Sequence, residues 1–263
     1  MIKLQYIWHD CFLFENEKVT MVFDFWKDPL TEINDIPMFI RNLDKEKPLY
    51  VFVSHHHKDH YVKNIFEWGK YIPNITYILS KDTAKFARHI ISETSLYTGI
   101  KPDKESVKVL SSGETFRDNL ITVDAFGSTD IGNSYAIKTG DTTIFHAGDL
   151  NAWIWKDEST EKEVATELKR FTDILDKIAE SYPRIDLAMF PVDSRIGTDY
   201  FTGAKIFVRE INVAHFFPMH FGLGNREEQL KYQLAAATVG NYANPERGEY
   251  ICLQSPYACY IRY

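Results

Sequence analysis

The run Leu49-Tyr-Val-Phe-Val-Ser54 constrains this chain more than any other stretch. It is continuously apolar and rich in β-branched residues, the mark of a strand buried on both faces. It leads straight into Ser54-His55-His56-His57-Lys58-Asp59-His60. A loop that leaves a rigid buried strand is a common place for binding and catalytic groups.

The flanking segments surround that strand with sheet and helix. Strand-like runs at Leu4–Trp8, Cys11–Glu15 and Thr20–Phe25 predict a meander, followed by a helix near Glu32–Asn42. Beyond the histidines the pattern predicts helices near Lys63–Lys70 and Asp82–Thr94, with a strand at Ile75–Leu79 between them. The middle reads as strands Val107–Leu110, Leu120–Ala125, Ser134–Lys138 and Thr142–His146, with Gly140-Asp141 as a hairpin signal. Thr160-Glu-Lys-Glu163 is a capping box opening a long helix through Phe171, Leu175 and Ile178. Strands at Asp186–Phe190 and Val213–Phe217 then alternate with helices Thr202–Ile211 and Asn225–Val239, before Tyr250–Leu253 and Ala258–Tyr263. Meander strands followed by alternating strands and helices in each half predict two sheets packed face to face with helices outside, in an α+β chain.

Composition removes other classes. At 44% hydrophobic and 25% charged residues the chain suits a soluble globular protein. A net charge of −7 without a block of Lys or Arg lacks the basic stripe of a nucleic-acid binder. No apolar run approaches the ~18 residues of a membrane span, and the alternating N-terminus lacks the features of a signal peptide. Cys11, Cys252 and Cys259 are odd in number and uninformatively spaced, which predicts buried thiols in a reduced, cytoplasmic protein.

The histidine segment has the pattern His-x-His-x-Asp-His, formed by His55, His57, Asp59 and His60. Alternate side chains of an extended segment share a face, so His55 and His57 can hold one metal while Asp59 and His60 turn toward a second. Imidazole and carboxylate suit Zn2+, Mn2+ or Fe, and the absence of Cys argues against a purely structural zinc site. His56 points away from its neighbours and reads as a supporting residue.

That motif after an apolar strand resembles the signature of the metallo-β-lactamase-like superfamily. The resemblance extends further. Trp8-His9-Asp10-Cys11-Phe12-Leu13-Phe14-Glu15 resembles the "Gly-His-Ser-Cys-Phe-Leu-Ile-Glu" stretch of the subgroup containing L-ascorbate-6-phosphate lactonase. His146-Ala-Gly-Asp149 resembles that subgroup's "His-Ala-Gly-Asp" turn, and Phe217-Pro-Met-His220 its late "Pro-x-His". The resemblance implies one domain over 1–263 with a four-layer αββα sandwich. It also implies one or two divalent metals, Zn or Mn with Fe as a further option. In it Asp149 bridges two metals and His220 binds the second, while Asp193 lies near the metal; His9 resembles a family position beside the substrate or the ligands and reads equally as a satisfied histidine beneath the site. Asp24 is a weaker candidate of the same kind.

The chain departs from the family at one point. A further histidine usually comes from a loop between the motif and the bridging aspartate, yet Val123–Ser134 contains none. Three arrangements are open: Asp130, Ser128 or Thr129 replaces it; water or substrate fills the position; or only the set Asp59, His60, Asp149 and His220 holds metal tightly. The chemistry expected is hydrolysis of an ester, lactone or phosphodiester of a small molecule by metal-activated water. Asp59 or Asp149 would orient the nucleophile, His146 would protonate the leaving group or hold a ligand, and Arg195 would bind an anion beside Trp153, Trp155, Tyr200 and Phe201. A serine nucleophile is disfavoured, since no Gly-x-Ser-x-Gly elbow is present. Two alternatives remain: a di-iron redox protein on the same fold, and a metal-poor binding protein. His89 and His215 read as structural.

Overall fold

The computed structural model describes residues 1–32, 35–241, 243–246 and 248–263. It divides the chain into two compact units, residues Met1–Ser111 with Ser255–Tyr263, and residues Ser112–Gln254. Among the described residues each unit holds one seven-stranded sheet.

In unit 1 the strands are β1 (Ile2–Trp8), β2 (Cys11–Glu15), β3 (Thr20–Phe23), β4 (Leu49–Val53), β5 (Ile75–Ser80) and β6 (Val107–Leu110), with β14 (Cys259–Arg262) from late in the chain. Their order is β14-β1-β2-β3-β4-β5-β6. β1 through β3 pair antiparallel as the expected meander, β14 adds antiparallel to β1, and β3 through β6 pair parallel. β4 lies between two parallel neighbours and all five of its residues are buried, as its apolar run requires. Leu49, Val51 and Val53 join a core that includes Phe39, Phe66 and Trp68.

The helices of unit 1 differ from the sequence expectation. In place of a helix over Glu32–Asn42 the structure has only α1 (Met38–Arg41), while Ile33 and Asn34 lie outside the described residues. Pro37 biases Ile36 out of the helical region. Asp28 shapes the stretch before α1 by accepting from Leu30 N, Met38 N and the Thr31 hydroxyl. Lys63–Lys70 winds as a 3-10 helix. The helix expected at Asp82–Thr94 splits at Ala87 into α2 (Lys81–Phe86) and α3 (Arg88–Ile91), which buries Ile90 and leaves Phe86 exposed.

Unit 2 contains β7 (Thr115–Arg117), β8 (Thr122–Phe126), β9 (Ser134–Thr139), β10 (Thr142–His146), β11 (Arg184–Pro191), β12 (Asn212–Met219) and β13 (Glu249–Tyr250). They run in the order β13-β12-β11-β10-β9-β8-β7. β7 through β10 pair antiparallel and β10 through β13 parallel, the same succession as in unit 1. Gly140 turns the β9–β10 hairpin at φ 57°. Helices α4 (Glu161–Ser181), α5 (Thr202–Glu210) and α6 (Arg226–Thr238) complete the unit, and both α4 and α6 open with capping boxes. Among the described residues no helix is long and apolar enough to cross a membrane.

The expectation of three buried thiols holds for Cys11 alone. Cys252 is half-buried and Cys259 exposed, because Cys259 lies on the edge strand β14.

Candidate metal centre

Unit 1 gathers its polar side chains after β3 and β4 and in the turn between β1 and β2. That turn is His9-Asp10, and both residues are wholly buried, whereas connecting turns ordinarily lie in water. His9 adopts φ 57° and Asp24, just after β3, φ 42°. Left-handed backbone at a residue other than glycine costs energy and is concentrated at functional sites.

Asp24 organises the cluster. Its carboxylate accepts the Ser54 N–H at 2.7 Å, the Ser54 hydroxyl at 2.5 Å and the Nδ1–H of His60 at 2.9 Å. Ser54 spends its proton on Asp24, so its oxygen accepts the Nδ1–H of His55 at 2.9 Å. Both imidazoles are thereby oriented with Nδ1–H as the donor and Nε2 directed away from it, and in their neutral form they present Nε2 as histidine does to a metal. The His55 ring lies 4.0 Å from that of His60 and 4.7 Å from that of His57, which is exposed.

Carboxylates crowd these rings. His60 Nε2 is 3.3 Å from Asp10 Oδ2, and His9 Nε2 is 3.6 Å from Asp10 and 3.7 Å from the partly exposed Asp59. Burial, followed by the charges of Asp24, Asp28 and Asp10, pushes the Cys11 thiol well above its ordinary range. His56 turns instead to Asp82, with Nδ1 at 2.9 Å, and stacks on Phe86.

Unit 2 repeats the device after its own parallel strands. His220, at φ 71° beyond β12, directs Nδ1 to Asp193 Oδ2 at 2.8 Å and Nε2 to Asp149 Oδ1 at 3.2 Å. Arg195 grips Asp193 through Nε, at 2.9 and 3.0 Å, and through Nη2. Burial would raise the Asp193 carboxyl, but its bonds with His220 and Arg195 outweigh that and hold it well below the usual carboxylate range. At the end of β10, His146 Nδ1 accepts the Gly148 N–H at 3.2 Å, and Gly148 turns at φ 52° into the buried Asp149. The Trp153 indole donates to the Asp149 carbonyl at 2.9 Å, with its ring 5.4 Å from that of His220.

In the loop without a histidine, the Thr129 hydroxyl is tied to the Asn151 carbonyl at 2.7 Å, and Ser128 Oγ accepts the Asp130 N–H at 3.2 Å. Asp130 is exposed, and with Thr129, Asp149, Trp153 and Trp155 it lines a cleft of about 460 Å3 within unit 2. His89 is exposed on α3, and His215 Nδ1 lies 3.2 Å from the Asp186 carbonyl. The Tyr200 hydroxyl donates to the Ala235 carbonyl. Sequence reasoning passed over Asp10 and ranked Asp24 low. The one available signal was an ionisable residue in a two-residue link between apolar strands.

A divalent cation fits both donor sets. His60 Nε2 facing Asp10, and His220 Nε2 facing Asp149, are pairs of acceptors that only a proton or a cation reconciles. Nitrogen and oxygen donors without thiolate suit Zn2+, Mn2+ or Fe2+.

The sequence model of the beta-lactamase superfamily domain matches residues 3–220. Among solved structures, the metallo hydrolase Igni18 from the hyperthermophilic archaeon Ignicoccus hospitalis is 14% identical, with a TM-score of 0.62 over 100% of this chain and 99% of that one. The metallo-beta-lactamase fold protein YhfI from Bacillus subtilis is 14% identical at a TM-score of 0.58, over 98% of each chain. CmlA, a diiron β-hydroxylase from Streptomyces venezuelae, is 12% identical at a TM-score of 0.59; the match covers 98% of this chain and 54% of CmlA. At such identities the likeness is one of fold. No curated protein matches. The chain belongs to the beta-lactamase superfamily, and it has the metallo-β-lactamase fold expected from its motif.

Proposed function

We propose that the chain hydrolyses an ester, lactone or phosphodiester bond of a small molecule, with His55, His57, Asp59, His60, Asp149 and His220 as metal ligands. The observation that carries this reading is the control of tautomers by Asp24, which fixes His60 directly and His55 through Ser54. A bound divalent cation supplies a Lewis acid that lowers the pKa of water toward about 7 and polarises the bond to be broken. Asp59, with its side chain 21% exposed, accepts a proton from the attacking water. Asp193 and Arg195 hold His220 in orientation, and His146 shapes the turn that presents Asp149.

The Trp8–Glu15 stretch and the His146–Asp149 turn support a lactonase-like subgroup. The donor set favours Zn2+ or Mn2+, with Fe2+ next. The volume of the cleft in unit 2 suits a small-molecule substrate. The net charge of −7 speaks against nucleic acid, and the cysteines are consistent with a cytoplasmic protein.

Metal quantification on protein purified without added metal, paired with an ester, lactone and phosphodiester panel, tests the reading. His57→Ala and Asp149→Ala are each expected to reduce metal content and hydrolysis by more than the roughly 10–100-fold typical of outer partners. Unchanged metal and hydrolysis in both would overturn it, and redox-active iron without hydrolysis would favour a di-iron redox protein.

A further inference from the structure

We infer that Asp10 is a carboxylate ligand of the cation in unit 1, together with His60, and that it biases the site toward Mn2+ or Fe2+ over Zn2+. This rests on the reading that unit 1 holds a divalent cation at its histidine motif. Asp10 is outside that motif, and serine stands at its position in the stretch that Trp8–Glu15 resembles.

The first argument is burial. Asp10 occupies a two-residue link between β1 and β2, where an aspartate ordinarily faces water, yet it is 0% exposed. A carboxylate in that environment requires a compensating charge.

The second is the identity of the groups that approach it. His60 commits its Nδ1–H to Asp24, so Nε2 is the ring nitrogen that faces Asp10 Oδ2, at 3.3 Å. A ring nitrogen and a carboxylate oxygen at that separation need a proton or a cation between them. Two ligand atoms each about 2.1 Å from one cation stand roughly 3.0–3.4 Å apart at the angles of tetrahedral or octahedral coordination. The 3.3 Å separation matches that of two donors to a shared ion.

The third is accumulated charge. His9 Nε2 lies 3.6 Å from Asp10 and 3.7 Å from Asp59, so two carboxylates approach one imidazole, and Asp24 is bonded to the next. Three carboxylates in contact with two rings concentrate negative charge where the donor set would hold a cation. An added anionic oxygen also hardens the donor set, which moves preference from Zn2+ toward Mn2+ or Fe2+.

The test uses Asp10→Asn, which keeps the shape, and Asp10→Ser, which installs the residue of the resembling stretch. Affinities for Mn2+ and for Zn2+ are measured by chelator competition on the full chain, and melting temperatures are taken stripped of metal and loaded. Both variants are expected to bind Mn2+ at least about tenfold more weakly, with a smaller loss for Zn2+. The stripped variants should melt at or above stripped wild type, because removing one of several crowded carboxylates relieves repulsion. Unchanged affinities in both variants, with His60→Ala still losing metal, would remove Asp10 from the site while leaving the site in place. Stripped variants melting well below stripped wild type at unchanged affinity would make Asp10 a support of the fold and overturn the inference. Full metal content in His60→Ala and Asp59→Ala as well would show that unit 1 holds no cation there, and the inference would fall with that reading.

Discussion

Carboxylates do the orienting in both units. Asp24 holds His60 and, through Ser54, His55, while Asp193 holds His220 and is itself held by Arg195. A carboxyl held below its unfolded value, about 3.9, is protonated more readily in the unfolded chain. Its contribution to stability is therefore complete above that value and is lost as pH falls toward the folded one. Arg195→Ala removes one of the two partners that keep Asp193 low. Melting curves of stripped protein between pH 2.5 and 7 should thus turn downward at a higher pH in Arg195→Ala than in wild type, and run parallel in the neutral range. Coincident acid limbs would show that Arg195 does not set this carboxyl. The motif histidines and Asp149 were legible because their spacing and sequence context are distinctive. Asp10 and Asp24 were not, since an aspartate in a turn or after a strand is ordinary and only tertiary packing brings it to an imidazole.

Among the elements, the clearest sequence signals became the most regular structures. The Thr160 hydroxyl accepts the Glu163 N–H at 3.3 Å, and the Glu163 carboxylate accepts the Thr160 N–H at 2.8 Å, at the start of α4. Thr160→Ala should cost about 1 kcal/mol, read as a lower urea midpoint with unchanged slope and unchanged metal content. A midpoint equal to wild type would mean that the box adds nothing to α4. Strands with strong periodicity or unbroken apolar runs were read to within a residue or two, as β2, β4 and β10 show. β7 was missed because its three residues carry too short a pattern. The interruption at Ala87 has no glycine or proline to announce it, and it places Phe86 against His56.

For the whole molecule, metal is expected to be a large part of the stability. A cation present at 100 times its Kd adds about 2.7 kcal/mol, which for a chain of this size is roughly 5–10 °C in melting temperature. Calorimetry with and without chelator measures it, and equal melting temperatures would mean that no tightly bound ion supports the fold. The fold class was legible through the motif, whereas the division into two units was not: composition is even along the chain and no linker marks the boundary. Nor does any local signal say that β14 belongs with β1, since Gln5 bonds to Tyr257 across 252 positions. That pairing sets an order of events on the ribosome. β1 emerges before the second sheet, and its partner, with Arg262 opposite Ile2, emerges after that entire sheet has been made. Unit 2 can complete its sheet from contiguous chain while unit 1 waits with one edge open. The interval in which two nascent chains can join edge to edge therefore lasts through the synthesis of the second half.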